Sequence, residues 1–353
     1  MTQIITFLGK GGTGKTTTAI AVARHYASQG QRVLLISQDP GPDLEILLGC
    51  APKTPQTIAA NLSAWQLETG PLLEKAWEEI KKLEAQYLRS PILKNVYGEE
   101  LVFVPGLAHA LALNELRLAS RGKQYDLLVF DGPGDQTSLT MWGIPDALGW
   151  YLRRFRQVFL NSDLGKAVSP FVQPFSSAIF NVTWTSTDSF AQEQTQEANQ
   201  LLEQGKAAIA DPQQLAAYLV TTPDPAAIAT AKYLWGAAQQ VNLTVGGVLL
   251  NRGPASLDTE FAPLPVITPE QGIPDLGQLA QQAPRPVSVD INERSVRLFL
   301  PGFDKNQVKL TQSGPEVTIE AGGLRRNLEL PAQLSGLSVK GAKFQNGYLV
   351  INF

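Results

Sequence analysis

The run Gly9-Lys10-Gly11-Gly12-Thr13-Gly14-Lys15-Thr16 constrains the fold more than any other feature, because of what stands on either side of it. Before it lies the apolar stretch Ile4 to Leu8, the length of a buried parallel strand. After it, Lys15 to Gln29 carries helix formers with Ala19, Val22, Ala23 and Tyr26 at helical spacing, and Gly30 supplies a C-cap. A second apolar stretch, Val33 to Ile36, follows at once, and another runs from Leu127 to Phe130. This alternation predicts an α/β chain with a doubly wound, mostly parallel sheet, whose ligands gather at the carboxyl ends of the strands. Further strands are expected at Leu101 to Val104, at Val158 to Leu160 or Ala217 to Val220, and at Val245 to Leu250.

Glycines at a strand-to-helix turn let backbone N–H groups converge on phosphate oxygens, and the helix adds the positive end of its dipole. The pattern therefore predicts a nucleotide-binding loop made of Gly9, Lys10, Gly11, Gly12, Thr13, Gly14, Lys15, Thr16 and Thr17, with ATP and Mg²⁺ as its ligands. Lys15 would reach the β- and γ-phosphates, and the Thr16 hydroxyl would ligate the Mg²⁺ that bridges them. Two carboxylates stand where hydrolysis needs them. Asp39, in Ser37-Gln38-Asp39-Pro40, can orient a water for in-line attack, and Asp131, closing the strand Leu127 to Phe130, can hold Mg²⁺ through water. Asp43 and Asp135 compete for the water-orienting role, and Asp39 and Asp131 have an alternative reading as strand-end caps.

Composition closes off several other classes. A net charge of -3 leaves no basic surplus for a phosphate backbone, so no nucleic acid partner is expected. Cys50 is the single cysteine, which rules out a zinc site or iron-sulfur cluster built from several thiolates of one chain. No run of 18 apolar residues exists and the amino terminus has no basic leader, so neither a membrane span nor secretion is expected, and the location expected is cytoplasmic.

Two stretches interrupt the strand-helix rhythm, near 51–98 and 136–214, and are expected to form helical insertions in an ATPase domain spanning 1–283. Phe171, Phe175 and Ile179 form an apolar stripe in the second, either a groove for hydrophobic helices or the insertion's own core. After the linker Pro284-Arg285-Pro286 the period becomes two, as in Val287, Val289, Ile291 and Val296, Leu298, Leu300. Residues 287–353 therefore read as an all-β domain of six or seven strands, with turns at Pro301-Gly302 and Asn346-Gly347.

Lys10, directly after the first glycine, makes the loop resemble the deviant phosphate loop of septum-site, plasmid-partition, nitrogenase-iron-protein and arsenite-pump ATPases. In that class this lysine crosses a dimer interface to the partner's nucleotide, so the resemblance implies a catalytic Lys10 beside Lys15 and Asp39, and a homodimer. With Ser37-Gln38-Asp39-Pro40, most of residues 1–280 resemble the arsenite-pump family, which includes ATPases that target tail-anchored membrane proteins. By that resemblance, Thr221-Thr222-Pro223-Asp224 is a nucleotide-linked motif containing Pro223, and Asn251, at the end of Val248-Leu249-Leu250, reads adenine. A strand-end turn remains the alternative for Asn251. Cys50 alone cannot supply the paired-cysteine zinc site of eukaryotic members, so no zinc is expected.

Residues 287–353 resemble the α-crystallin domain of small heat-shock proteins through Leu300-Pro301-Gly302-Phe303, Leu328-Glu329-Leu330-Pro331 and Phe344 to Ile351. Such a domain is appended to a subgroup of arsenite-pump-like ATPases in photosynthetic lineages. Together the resemblances imply a targeting factor or chaperone-like ATPase whose nucleotide state controls binding of a hydrophobic client protein or other apolar ligand. Two alternatives stay open: a septum-site or partition-type organising ATPase, and an ATPase whose β domain is a structural cap.

Overall fold

The computed structural model describes residues 2–87, 97, 100, 106–161, 188–253, 256–314 and 316–353. They fall into two compact units, one of Met1–Gln66, Lys123–Trp142 and Ala208–Phe353, the other of Leu67–Gly122 and Gly143–Ala207.

The first unit is built on an eight-stranded sheet in the order β3-β4-β2-β5-β1-β6-β7-β8. Its strands are β1 (Gln3–Leu8), β2 (Val33–Ser37), β3 (Gln56–Ala59), β4 (Leu62–Gln66), β5 (Leu127–Asp131), β6 (Leu215–Thr221), β7 (Val245–Leu250) and β8 (Val266–Ile267). Every neighbouring pair is parallel except β3 with β4. Every residue of β2, β5, β6 and β7 is buried, as expected of strands covered on both faces. The strand before the glycine loop, β1, lies between β5 and β6. Parallel pairing then sets the carboxyl ends of β1, β2, β5, β6 and β7 along one edge, and with them the glycine loop, Asp39, Asp131, Thr221 and Asn251.

Of the two strands weighed against each other, Ala217 to Val220 lies within β6, whereas Val158 to Leu160 falls inside the helix Gln136–Asn161. The stretch 51–98, expected to be helical, begins instead with the hairpin β3–β4, which extends the sheet before the helix Thr69–Tyr87 starts. The physical reason is the alternation in β4, where Leu62, Ala64 and Gln66 are buried and Ser63 and Trp65 less so. The strand expected at Leu101 to Val104 and the stripe Phe171, Phe175, Ile179 lie outside the described residues. The second unit is helical where described, with Leu73, Leu107 and Leu111 forming a small core. No helix among the described residues is long and apolar enough to cross a membrane.

From Val287 the described residues form seven strands in two antiparallel sheets. One has the order β14-β15-β10-β9, with β9 (Val287–Asp290), β10 (Ser295–Phe299), β14 (Gly341–Gln345) and β15 (Tyr348–Asn352). The other is β11 (Lys309–Ser313), β12 (Glu316–Ala321) and β13 (Leu324–Glu329). Asn346-Gly347, at φ 51° and 74°, turns the β14–β15 hairpin, and Gly322-Gly323, at 60° and 69°, turns β12 into β13.

This domain packs on the helix Pro225–Gln240 of the same unit. Arg326, 7% exposed, donates from Nη1 to the Gln239 carbonyl at 2.7 Å. The Tyr233 hydroxyl donates to the Gly322 carbonyl at 2.7 Å, and the rings of Trp235 and Phe299 meet edge to face at 5.4 Å. Gly236 lets the two surfaces touch: a Cβ there would stand 2.2 Å from the Pro301 carbonyl oxygen and 2.5 Å from the Phe303 ring.

Candidate active site at the strand ends

The helix Lys15–Ser28 (α1) starts from Gly14 at φ 90°, a left-handed conformation that favours glycine, and no side chain caps it. Its first N–H groups have no intrahelical partners, and its first turn carries no acidic residue. That combination suits a bound anion. Gly12, at φ 81°, completes the curl of the loop. Thr13, 2% exposed, ties it internally, its hydroxyl donating to the Lys10 carbonyl at 2.8 Å.

Lys15 and Lys10 are disposed differently. The Lys15 ammonium turns back over the loop and donates to the Gly9 carbonyl at 3.1 Å and the Lys10 carbonyl at 3.4 Å. Burial lowers the Lys15 pKa, while Asp131, Asp135 and Asp39 pull it back up. Lys10 is exposed, and among the described residues no carboxylate pairs with it. Thr17, in the first turn of α1, is exposed as well.

Asp131, at the end of β5, is 3% exposed. Burial pushes its carboxyl up to about 6 against hydroxyl bonds from Thr16 and Ser37 and the charge of Lys15, all of which favour ionisation, while Asp39 adds to the rise. Its Oδ2 is buried without a hydrogen-bond partner among the described residues. A buried carboxylate oxygen left unpaired beside the Thr16 hydroxyl is a donor set of hard oxygens, the type that suits Mg²⁺ with retained waters.

Asp39 is exposed in the turn after β2. Its Oδ1 accepts the Gly41 N–H at 2.7 Å, and its own N–H reaches the Ser37 hydroxyl at 3.3 Å. Gln66, 8% exposed at the end of β4, donates from Nε2 to the carbonyls of Asp39 at 2.8 Å and Gly41 at 2.9 Å. The water-orienting candidate thus stands on a turn pinned from the neighbouring strand. Asp135 is held in a similar way, its Oδ1 accepting the Thr137 N–H at 2.8 Å, and Asp43 opens the short helix Asp43–Leu48.

The turn after β5 packs against the loop itself. Gly9 N–H donates to the Gly134 carbonyl at 2.8 Å, and Gly134 N–H donates to the Ser138 hydroxyl at 2.9 Å. Beyond β6, Pro223 precedes Asp224, whose carboxylate caps the helix Pro225–Gln240 by accepting the Ala227 N–H at 3.0 Å. Asn251 continues β7, its N–H donating to the Thr221 carbonyl at 2.9 Å, and its side chain meets the glycine loop. Sequence reasoning missed Ser37, Gln66, Ser138 and Thr18. Ser37 was the most accessible, directly following the strand expected at Val33 to Ile36; Gln66 had no local signal, since only the register Ser37↔Gln66 brings it to the site.

Residues 2–260 match the family model described as "Anion-transporting ATPase", and residues 291–353 match "HSP20-like domain found in ArsA". A "Putative arsenical pump-driving ATPase" of Chlorobaculum tepidum is 29% identical over 160 residues, covering 44% of this chain and 39% of that protein. The match thus spans well under half of that relative's length. "Protein Rv2184c" of Mycobacterium tuberculosis is 25% identical across 99% of the chain and 96% of its own length. "ATPase GET3" of Malassezia globosa is 27% identical over 186 residues, covering 52% of the chain and 53% of that protein. The expectation of a photosynthetic lineage gains no support from these matches.

Proposed function

The chain belongs to the anion-transporting ATPase family, a family of phosphate-loop ATP hydrolases, and from that premise we propose that it works as a homodimer whose sites are each completed by Lys10 of a second copy. Its nucleotide state controls capture of a hydrophobic client protein or another apolar ligand. The observation that carries the shared site is the contrast within one loop: Lys15 serves its own chain, while Lys10 extends from it exposed and without a carboxylate partner among the described residues.

In hydrolysis, a water oxygen attacks the γ-phosphorus as the bond to the β,γ-bridging oxygen breaks, and ADP leaves. Asp39 orients that water and receives its proton. The loop N–H groups and Lys15 meet the charge that builds on the phosphate oxygens, and Lys10 from the second copy adds a further cation. Thr16, and Asp131 through water, would hold Mg²⁺, which neutralises charge on the β- and γ-phosphates. By the family resemblance, Asn251 and Pro223 would serve the nucleoside of the bound ATP.

Client capture rests on the family resemblance and on the second unit, where Leu118 and Tyr151 are exposed large apolar side chains. The packing of residues 287–353 on the helix Pro225–Gln240 supports a second reading for the β domain alone, a cap that stabilises its own ATPase core. The test of client capture is the affinity of the full chain for a fluorescent, apolar helical peptide with no nucleotide, with Mg·ADP and with Mg·ATP. The proposal expects affinities differing at least about tenfold between states, a coupling of ordinary allosteric size. Absence of binding in every state, or one affinity throughout, would overturn it.

A further inference from the structure

The geometry points to Asn251 as a positioning residue of the phosphate loop, holding the loop's curl in place by both hydrogens of its side-chain amide, independently of any contact with a base. Its Nδ2 donates to the Thr13 carbonyl at 2.9 Å and to the Thr18 hydroxyl at 2.9 Å. The Thr13 carbonyl can only accept, so the amide nitrogen must face it, and the orientation of the side chain is fixed by chemistry. Thr18 is 3% exposed, in the first turn of α1.

These two partners bracket Gly14 to Thr17, the start of α1, whose N–H groups would face a phosphate bound at the loop. Between them, Gly14 takes φ 90°, and a Cβ added there would stand 2.9 Å from Asn251 Nδ2. The amide therefore lies directly against the glycine where loop becomes helix. Thr18 N–H also donates to the Gly14 carbonyl at 2.8 Å, so the bracket closes on the helix's first turn. The Thr13 hydroxyl and the Lys15 ammonium tie the loop to its own carbonyls, and Asn251 adds a brace from outside the loop. Asn251 is anchored at the end of a fully buried strand, which lends that rigidity to the loop and removes an ordering cost from anion binding.

Polyphosphate without a base separates this role from adenine reading. Inorganic tripolyphosphate with Mg²⁺, and Mg·ATP, would be titrated calorimetrically into the full-length parent and the variants Asn251→Ala, Thr18→Val and Thr18→Ser. Loss of two neutral hydrogen bonds sets the expected scale: Asn251→Ala weakens tripolyphosphate about tenfold and ATP by at least as much. Thr18→Val weakens both about threefold, and Thr18→Ser, which keeps the hydroxyl, stays within about twofold of the parent. A purely structural role would lower the melting temperature of Asn251→Ala without changing the affinity of the folded fraction for tripolyphosphate. The inference is overturned if Asn251→Ala and Thr18→Val bind tripolyphosphate as the parent does, whether or not ATP binding falls. It rests on the loop being the polyphosphate site; a parent that binds neither ligand would overturn that premise and the inference together.

Discussion

Replacing Gly134 with alanine is expected to reduce ATP turnover at least about 100-fold in a chain that still folds, because loss of one preorganised charge contact in a phosphoryl-transfer site is of that order. Gly134 sits at φ 69°, where a side chain is already strained, and a Cβ would stand 2.3 Å from Lys15 Cε, 2.4 Å from its Cδ and 3.0 Å from the Phe7 carbonyl oxygen. Backbone on one side leaves the lysine as the group that must give way. If the turn moves instead, the bond from Gly9 N–H to the Gly134 carbonyl is lost, and the start of the phosphate loop loses its support. Either route displaces the cation that meets the β- and γ-phosphates. Steady-state hydrolysis alongside circular dichroism of the same preparation checks this; turnover within about threefold of the parent would show that Lys15 is not held where the chemistry needs it.

Asp131→Asn is expected to separate stability from activity. Without nucleotide, burial holds the Asp131 carboxyl at about 6, above its ordinary 3.8, so the folded chain binds that proton more tightly than the unfolded chain does. The stabilisation this gives is complete below about pH 4 and is lost as pH rises through about 6, leaving a buried charge at neutral pH. Asparagine keeps the shape and removes the charge. Near pH 7.5 the nucleotide-free variant should therefore be more stable than the parent, by roughly 2–3 kcal/mol, with the difference closing below about pH 4. Mg²⁺-dependent turnover should fall at least about 100-fold, since the carboxylate that supports the metal is gone. Melting curves across that pH range decide the first part: a variant that melts at or below the parent near neutral pH would mean that Asp131 is compensated in a way its surroundings do not reveal.

What the sequence made legible was local. The glycine loop, its flanking strand and helix, and the carboxylates at the ends of β2 and β5 are short-range patterns whose meaning depends on neighbours within a few residues. The Asn346-Gly347 turn was legible for the same reason, as a dipeptide whose backbone preference matches a hairpin. The hairpin β3–β4 was not, because its exposed edge strand carries Gln56, Thr57 and Ala59, with too little apolar contrast to display a period. Missing that hairpin hid Gln66, which reaches Asp39 only through the pairing of β4 with β2. The seat of the β domain was hidden too. Gly236 looks like a weak point inside a helix until Pro301 and Phe303 are seen against it, and Arg326 looks like a surface cation until its carbonyl partner is found. Asn251 was visible as a strand-end amide, but its bond to Thr13 spans 238 residues of chain, which no local pattern encodes.

The central claim, that one chain's hydrolytic site is completed by Lys10 from a second copy, is tested most directly by mixing two inactive variants. Lys10→Ala keeps Asp39 but cannot donate the lysine, and Asp39→Asn keeps the lysine but cannot orient the water. In a mixed dimer, the Lys10→Ala chain receives Lys10 from its partner and has one working site. With equal amounts and free exchange of subunits, half the dimers are mixed and half their sites work, so turnover per chain should rise to about a quarter of the parent's. A mixture no more active than the average of its two components would contradict the account, because a lysine serving its own chain cannot be restored by a neighbour.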